Sequence, residues 1–280
     1  MALRLYRTQL GVLVEHQGRY YEITGVDWDR LVQQEDLNEF LRRDLDPGAM
    51  LPEGFNLRDT DYLPPIVSQE VWAAGVTYRR SKTARMEESA EAGGADFYDR
   101  VYDAERPELF PKALSHRVVG HRQKVRIRSD SRWSVPEPEL TLLVSPQGKL
   151  LGYTVGNDVS ARDIEGENPL YLPQAKVYDR SCALGPGVLI AGEDLPDETA
   201  ISIEVWRGGE AFYQDSTRLS EMKRSYQELI DYLMRECSFP FGCYLMTGTG
   251  IVPPGNFSLQ SADEILISIE GVGTLINQVE

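Results

Sequence analysis

The chain has 280 residues, 41% of them hydrophobic, which is enough to bury one large core or two smaller ones. Lys and Arg number 29 against 44 Asp and Glu, a formal net charge of -15 that argues against nonspecific binding to nucleic acid or to an anionic membrane surface. No apolar run has the length of a membrane span and the opening residues lack the continuous apolar core of a signal peptide, so the expectation is a cytoplasmic protein.

Alternating stretches at 3–8 and 11–24, around a turn at His16-Gln17-Gly18-Arg19, predict a small sheet at the start. Asp27 is placed to cap a helix with Trp28, Leu31 and Val32 on one face; after a break near Asp36, Leu37, Phe40 and Leu41 continue the helical spacing. The proline- and glycine-bearing stretch 47–65 reads as a linker or wrapping loop. Residues 1–65 are therefore expected to form a small N-terminal α/β domain and residues 66–280 a second, larger domain. In the larger part, short strand-type runs at 125–128, 139–145, 151–156, 188–191, 201–206 and 265–269 are separated by turn residues, giving an α+β, β-rich class. One helix interrupts them: Tyr226, Leu229, Ile230, Leu233 and Met234 share a face, and Ser225 and Glu228 have capping-box spacing. The charged stretch 82–105, with Gly93-Gly94, reads as a lid or as a plain surface insertion. Cys182, Cys237 and Cys243 lack Cys-x-x-Cys spacing and sit among apolar or aromatic neighbours, as structural thiols do.

Glu137-Pro-Glu139 carries the strongest chemical signal. Residues two apart on a strand point the same way, so the two carboxylates share a face while Leu140, Leu142 and Val144 supply a buried one. If Pro146-Gln147-Gly148-Lys149 closes a hairpin, residue 139 pairs with 156 and residue 137 with 158, which sets Asp158 opposite Glu137. Three converging carboxylates repel unless a cation neutralises them, and an oxygen-only set suits a hard ion such as Mg²⁺, with Mn²⁺ or Ca²⁺ able to take its place. The competing reading is a solvated acidic edge.

Other candidates surround this hairpin in sequence. Lys176 is a candidate hydrogen-bond donor to a developing oxyanion, or a base if its pKa falls. Arg162-Asp163 reads as a structural ion pair. Gly75-Val76-Thr77-Tyr78-Arg79-Arg80-Ser81 offers a basic patch for an anionic substrate, with Tyr78 and Arg80 as candidate contacts. Glu108, flanked by apolar residues, is a candidate for proton transfer. Thr247-Gly248-Thr249-Gly250 brings backbone close to a ligand, with Thr249 as a further contact. His116 and His121 have no visible Ser or Cys partner for a triad.

Pro136 to Leu140, the run Gly-Tyr-Thr-Val-Gly-Asn-Asp-Val-Ser-Ala-Arg-Asp at 152–163, and Thr-Gly-Thr-Gly at 247–250 resemble the fumarylacetoacetate hydrolase superfamily from about residue 70 onward. Residues 107–112, 128–131 and 167–174 resemble its 2-keto-3-deoxyarabinonate dehydratase branch. The resemblance implies rolled mixed β-sheets, a small N-terminal domain and a homo-oligomer, dimer or tetramer. It also implies a metal held by Glu137, Glu139 and Asp158, Glu108 and Lys176 at the reacting carbons, and Thr249 near a small 2-oxo acid. The implied activity is Mg²⁺-dependent dehydration of a 2-keto-3-deoxy sugar acid to a product such as 2,5-dioxopentanoate. Acylpyruvate hydrolases of the superfamily resemble Gly-x-Asn-Tyr-x-x-His-x-x-Glu, whereas Thr77, Tyr78, Ser81 and Ala84 stand at those positions here, so the hydrolytic histidine is missing. Three rival readings stand beside dehydration: metal-dependent carbon-carbon hydrolysis or oxaloacetate decarboxylation, Schiff-base chemistry at Lys176, and a non-catalytic sugar-acid binding module.

Overall fold

Alternating apolar residues at the start of the chain make a three-stranded meander, β1 (Leu3–Thr8), β2 (Gly11–His16) and β3 (Arg19–Ile23). A computed structural model describes residues 2–43, 45, 49–81, 100–192 and 194–280, so most of the 82–105 excursion lies outside the described residues. Two short helices follow the meander, α1 (Trp28–Val32) and α2 (Leu37–Arg43). Asp27 accepts from the Arg30 amide and Asp36 from the Glu39 amide, each oxygen satisfying a donor that a helix start leaves unpaired. The expected break at Asp36 is thus the cap of a second helix.

The central layer is a ten-stranded mixed sheet that also holds β4 (Glu70–Gly75), β5 (Glu108–Leu114), β6 (Val118–Val119), β9 (Pro138–Val144), β10 (Leu150–Asp158), β12 (Cys182–Ile190) and β15 (Cys243–Met246). Its order is β3-β2-β1-β12-β10-β9-β15-β4-β5, with β6 also on β12; β15–β4 and β12–β6 are parallel. The first 65 residues are not detached from it, because Arg4 and Leu5 of β1 pair with Leu189 and Val188 of β12. The second layer is a five-stranded sheet of β7 (Lys124–Val125), β13 (Ala200–Arg207), β14 (Glu210–Arg218), β16 (Glu264–Ile269) and β17 (Gly273–Val279). Strands β8 (Ser134–Val135) and β11 (Ser160–Ala161) pair separately.

The large sheet buries both faces. One packs Leu140, Leu142 and Val144 with Ile201, Ile203, Ile265 and Ile267 of the second sheet and with Leu229, Ile230 and Leu233 of the later helix α5 (Tyr226–Leu233). The other packs Leu143 with Trp28, Leu31, Val32, Leu37 and Leu41 of the N-terminal helices. Every residue of β9 is consequently buried, whereas the alternation suggests one apolar face only. Glu137 and Glu139 share their side of the strand with Thr141 and Leu143, and so open into the interior at the end of that strand.

Candidate active site and metal centre

At its open end the β9–β10 hairpin has the expected register, reached through a one-residue shift between Leu150 and Gly152: Gly156 pairs with Glu139, Asn157 with Pro138, and the Asp158 amide donates to the Glu137 carbonyl at 3.0 Å. Glu137, Glu139 and Asp158 are almost wholly buried, and each offers a carboxylate oxygen within 4.8 Å of the others. Glu139 accepts from the Gly248 amide at 2.7 Å, an approach that depends on Gly248 holding φ at +86° just after β15. Burial first, then repulsion from Asp158 and Glu137, raises the Glu139 carboxyl well above the ordinary carboxylate range.

Three cations meet this cluster. Lys176 ends the short helix α4 (Leu172–Lys176), and its Nζ donates to Glu137 Oε2 at 2.5 Å, Ser160 Oγ at 2.7 Å and Asp158 Oδ2 at 3.0 Å. Arg162 begins α3 (Arg162–Glu167); its guanidinium bonds Glu137 Oε1 and lies 3.8 Å from Glu165. Lys112 of β5, with no exposed surface, contacts Asp158 Oδ1 at 2.5 Å and donates to the carbonyls of Lys176 and Val159 at 2.6 and 3.1 Å and to Ser181 Oγ at 3.2 Å. A buried lysine in contact with a carboxylate and three further acceptors is satisfied as an ammonium.

Lys112 and Ser160 are contributions that sequence reading missed, and Arg162 was misassigned. The adjacent Arg162 and Asp163 do not pair: Arg162 turns inward to Glu137, while Asp163 accepts from Ser131 at 2.6 Å and from the Arg132 amide at 2.8 Å. Neighbouring residues of a helix point apart, so adjacency was a poor guide. No local signal marks Lys112, because its burial is set by partners 46 to 69 positions away, Asp158 to Ser181.

A cleft opens over these groups. Glu108, Phe110, Glu137, Glu139, Asp158, Arg162, Glu165, Lys176 and Thr249 line it, so Glu108, Lys176 and Thr249 come together with the carboxylate trio. Tyr78 and Arg80 are not among its lining residues. Tyr78 is wholly buried, its ring beside Gly250, and its hydroxyl has no hydrogen-bond partner among the described residues. Arg80 pairs with Asp215 of β14 at 2.8 Å. Ser81, at the position where the hydrolases resemble histidine, does line the cleft and donates to the Tyr78 carbonyl at 2.7 Å. His121 packs against Tyr62 with ring centroids 5.3 Å apart, and neither it nor His116 lines the cleft.

The donor set fits a hard divalent cation: it is composed of carboxylate oxygens, it is desolvated, and Glu139 carries a penalty that an ion would relieve. Glu137, Glu139 and Asp158 are accordingly the residues that would hold magnesium.

Residues 70–280 match the family described as fumarylacetoacetate (FAA) hydrolase, C-terminal. A probable 2-keto-3-deoxyxylonate dehydratase of Haloferax volcanii is 51% identical over 217 residues, 77% of this chain and 73% of that protein. A 2-dehydro-3-deoxy-D-arabinonate dehydratase of Saccharolobus solfataricus is 42% identical over 233 residues, 82% of this chain and 78% of that one. The structure of a 2-keto-3-deoxy-D-arabinonate dehydratase complexed with magnesium and 2,5-dioxopentanoate superposes with a TM-score of 0.84 at 34% identity, over 100% of this chain and 99% of the other. On these matches and on its mixed, strand-rich fold, the chain belongs to the fumarylacetoacetate hydrolase family.

Proposed function

We propose that the cleft dehydrates a 2-keto-3-deoxy sugar acid, with 2,5-dioxopentanoate as the product from a five-carbon substrate. The observation that carries this reading is the buried Glu137, Glu139 and Asp158 trio with Glu108 and Lys176 on the walls of the same cleft. Two relatives named as dehydratases of such acids, and the dehydratase solved with magnesium and 2,5-dioxopentanoate, support it. Magnesium, when bound, supplies the positive charge and Lewis acidity that make the hydrogens beside a 2-oxo group acidic.

The chain's own residues divide the proton transfers. Lys176, donating to two carboxylates and a hydroxyl, starts the reaction as an ammonium and is unsuited both to act first as base and to attack as a free amine. Removal of the C3 proton therefore falls to Glu108. The C3–H electron pair becomes the C3–C4 double bond as the C4–O bond breaks, and the departing hydroxyl takes a proton from Lys176 to leave as water. Glu108 then returns its proton through solvent, restoring both groups; the enone so formed rearranges through C5, which gives up one proton and its hydroxyl another while C3 and C4 each gain one, to yield 2,5-dioxopentanoate. Thr249 contributes a hydroxyl at the cleft wall. Ser81 in place of a histidine leaves that wall without an imidazole to activate water, which favours elimination over hydrolysis of a carbon-carbon bond.

A homo-oligomer, dimer or tetramer, working in the cytoplasm completes the reading; no helix among the described residues is long and apolar enough to cross a membrane. Mass spectrometry of 2-oxo acids incubated with and without Mg²⁺ tests it. Magnesium-dependent loss of water is expected from 2-keto-3-deoxy pentonates. Loss of carbon dioxide, or cleavage into two acids, would overturn it.

A further inference from the structure

Glu108 opens β5, which is the outermost strand of the large sheet, and β4 is the neighbour it pairs with there. The register sets Glu108 directly opposite Gly75, the last residue of β4. Side chains directly opposite on an antiparallel pair stand side by side, so the surface that Glu108 lies against is set by residue 75. With no side chain there, the Glu108 carboxylate folds over the bare Cα: a methyl on Gly75 would overlap Oε2 and come 2.6 Å from Cδ and 3.2 Å from Cγ. Carbon atoms pack at about 3.5–4.0 Å, so the two groups cannot share the space. Gly75 and Glu108 both line the cleft, which places this choice at the reacting end of the sheet.

We infer that Gly75 is a positioning residue whose missing side chain fixes where the Glu108 carboxylate stands. The inference rests on the role given to Glu108 above and adds the device that aims it. Gly75 does not occupy the left-handed region, so its backbone accepts alanine, and the three atoms met first by an added methyl belong to the flexible end of Glu108. Alanine at 75 therefore leaves the sheet intact and displaces one carboxylate.

The test is a double-mutant cycle of Gly75→Ala and Glu108→Gln, with thermal melts of all four proteins and kcat and KM for water loss from 2-keto-3-deoxyarabinonate in saturating Mg²⁺. A misplacement of about 1 Å costs roughly 10²-fold, so G75A is expected to lose kcat by that order with KM little changed. In the Glu108→Gln background the same alanine is expected to cost nothing further, because the group it displaces no longer works. G75A with unchanged kcat would overturn the inference. So would losses that multiply in the double variant, which would mean that the methyl obstructs the cleft itself, or a G75A chain that does not fold. Wild-type turnover in E108Q alone would instead remove Glu108 from the mechanism, and the two failures are told apart by that single variant.

Discussion

The two ends of the β9–β10 hairpin are built from the same strands and do opposite things. Toward the turn, Leu142 and Val144 enter the apolar layer between the sheets. Toward the open end, Glu137, Glu139 and Asp158 are equally buried, with Lys112, Lys176 and Arg162 packed around them. Burial stabilises the first end at about 25 cal/mol per Å² of apolar surface removed from water. At the second it is a cost, since desolvating charges is offset only when every one of them is paired. The hairpin therefore ties an end that holds the fold together to an end that the fold must hold.

Neutralising a cation at the charged end breaks this arrangement most severely. Lys112→Met removes the buried ammonium that contacts Asp158 and donates to the carbonyls of Val159 and Lys176, and breaking a buried pair costs about 3–5 kcal/mol, to be read from denaturant melts. A loss under about 1 kcal/mol, the value of an exposed pair, would show that the charged end is not desolvated. At the apolar end, Leu142→Ala is expected to cost about 2–5 kcal/mol in the same melts while the folded fraction keeps its kcat, since only packing is removed. A fall in kcat would show that the two ends are not separable. Smallest, Ser225→Ala removes the hydroxyl that accepts from the Glu228 amide at the start of α5, a helix that packs on the apolar end; about 1 kcal/mol and no change in turnover are expected.

How much of this was legible in the sequence follows the range of the interactions involved. The register that brings Asp158 to Glu137 lies within one hairpin, where an apolar run of period two picks the face; the turn end pairs Val144 with Leu150, and a one-residue shift before Gly152 sets Gly156 opposite Glu139. The caps at Asp27 and Asp36 are equally local. Tyr78 and Arg80 read as a ligand patch because a strand end rich in arginine looks solvated; the partner that takes up Arg80 is Asp215, far along the chain. Lys112 was invisible for the same reason, and Arg162 was misread because adjacency in sequence stood in for adjacency in space. The carboxylates could be read from the pattern of one hairpin, whereas the cations that balance them arrive from β5, α3 and α4, and nothing in a single segment records their meeting.

The central claim is that the buried carboxylate trio holds a divalent cation, and the most direct measurement is the melting temperature across a Mg²⁺ titration of the wild type and of Glu139→Gln. The wild type is expected to gain about 2.7 kcal/mol of stability when Mg²⁺ reaches a hundred times its Kd, with E139Q showing little or no gain over the same range. A wild-type melt indifferent to Mg²⁺, or an undiminished shift in the variant, would contradict the account.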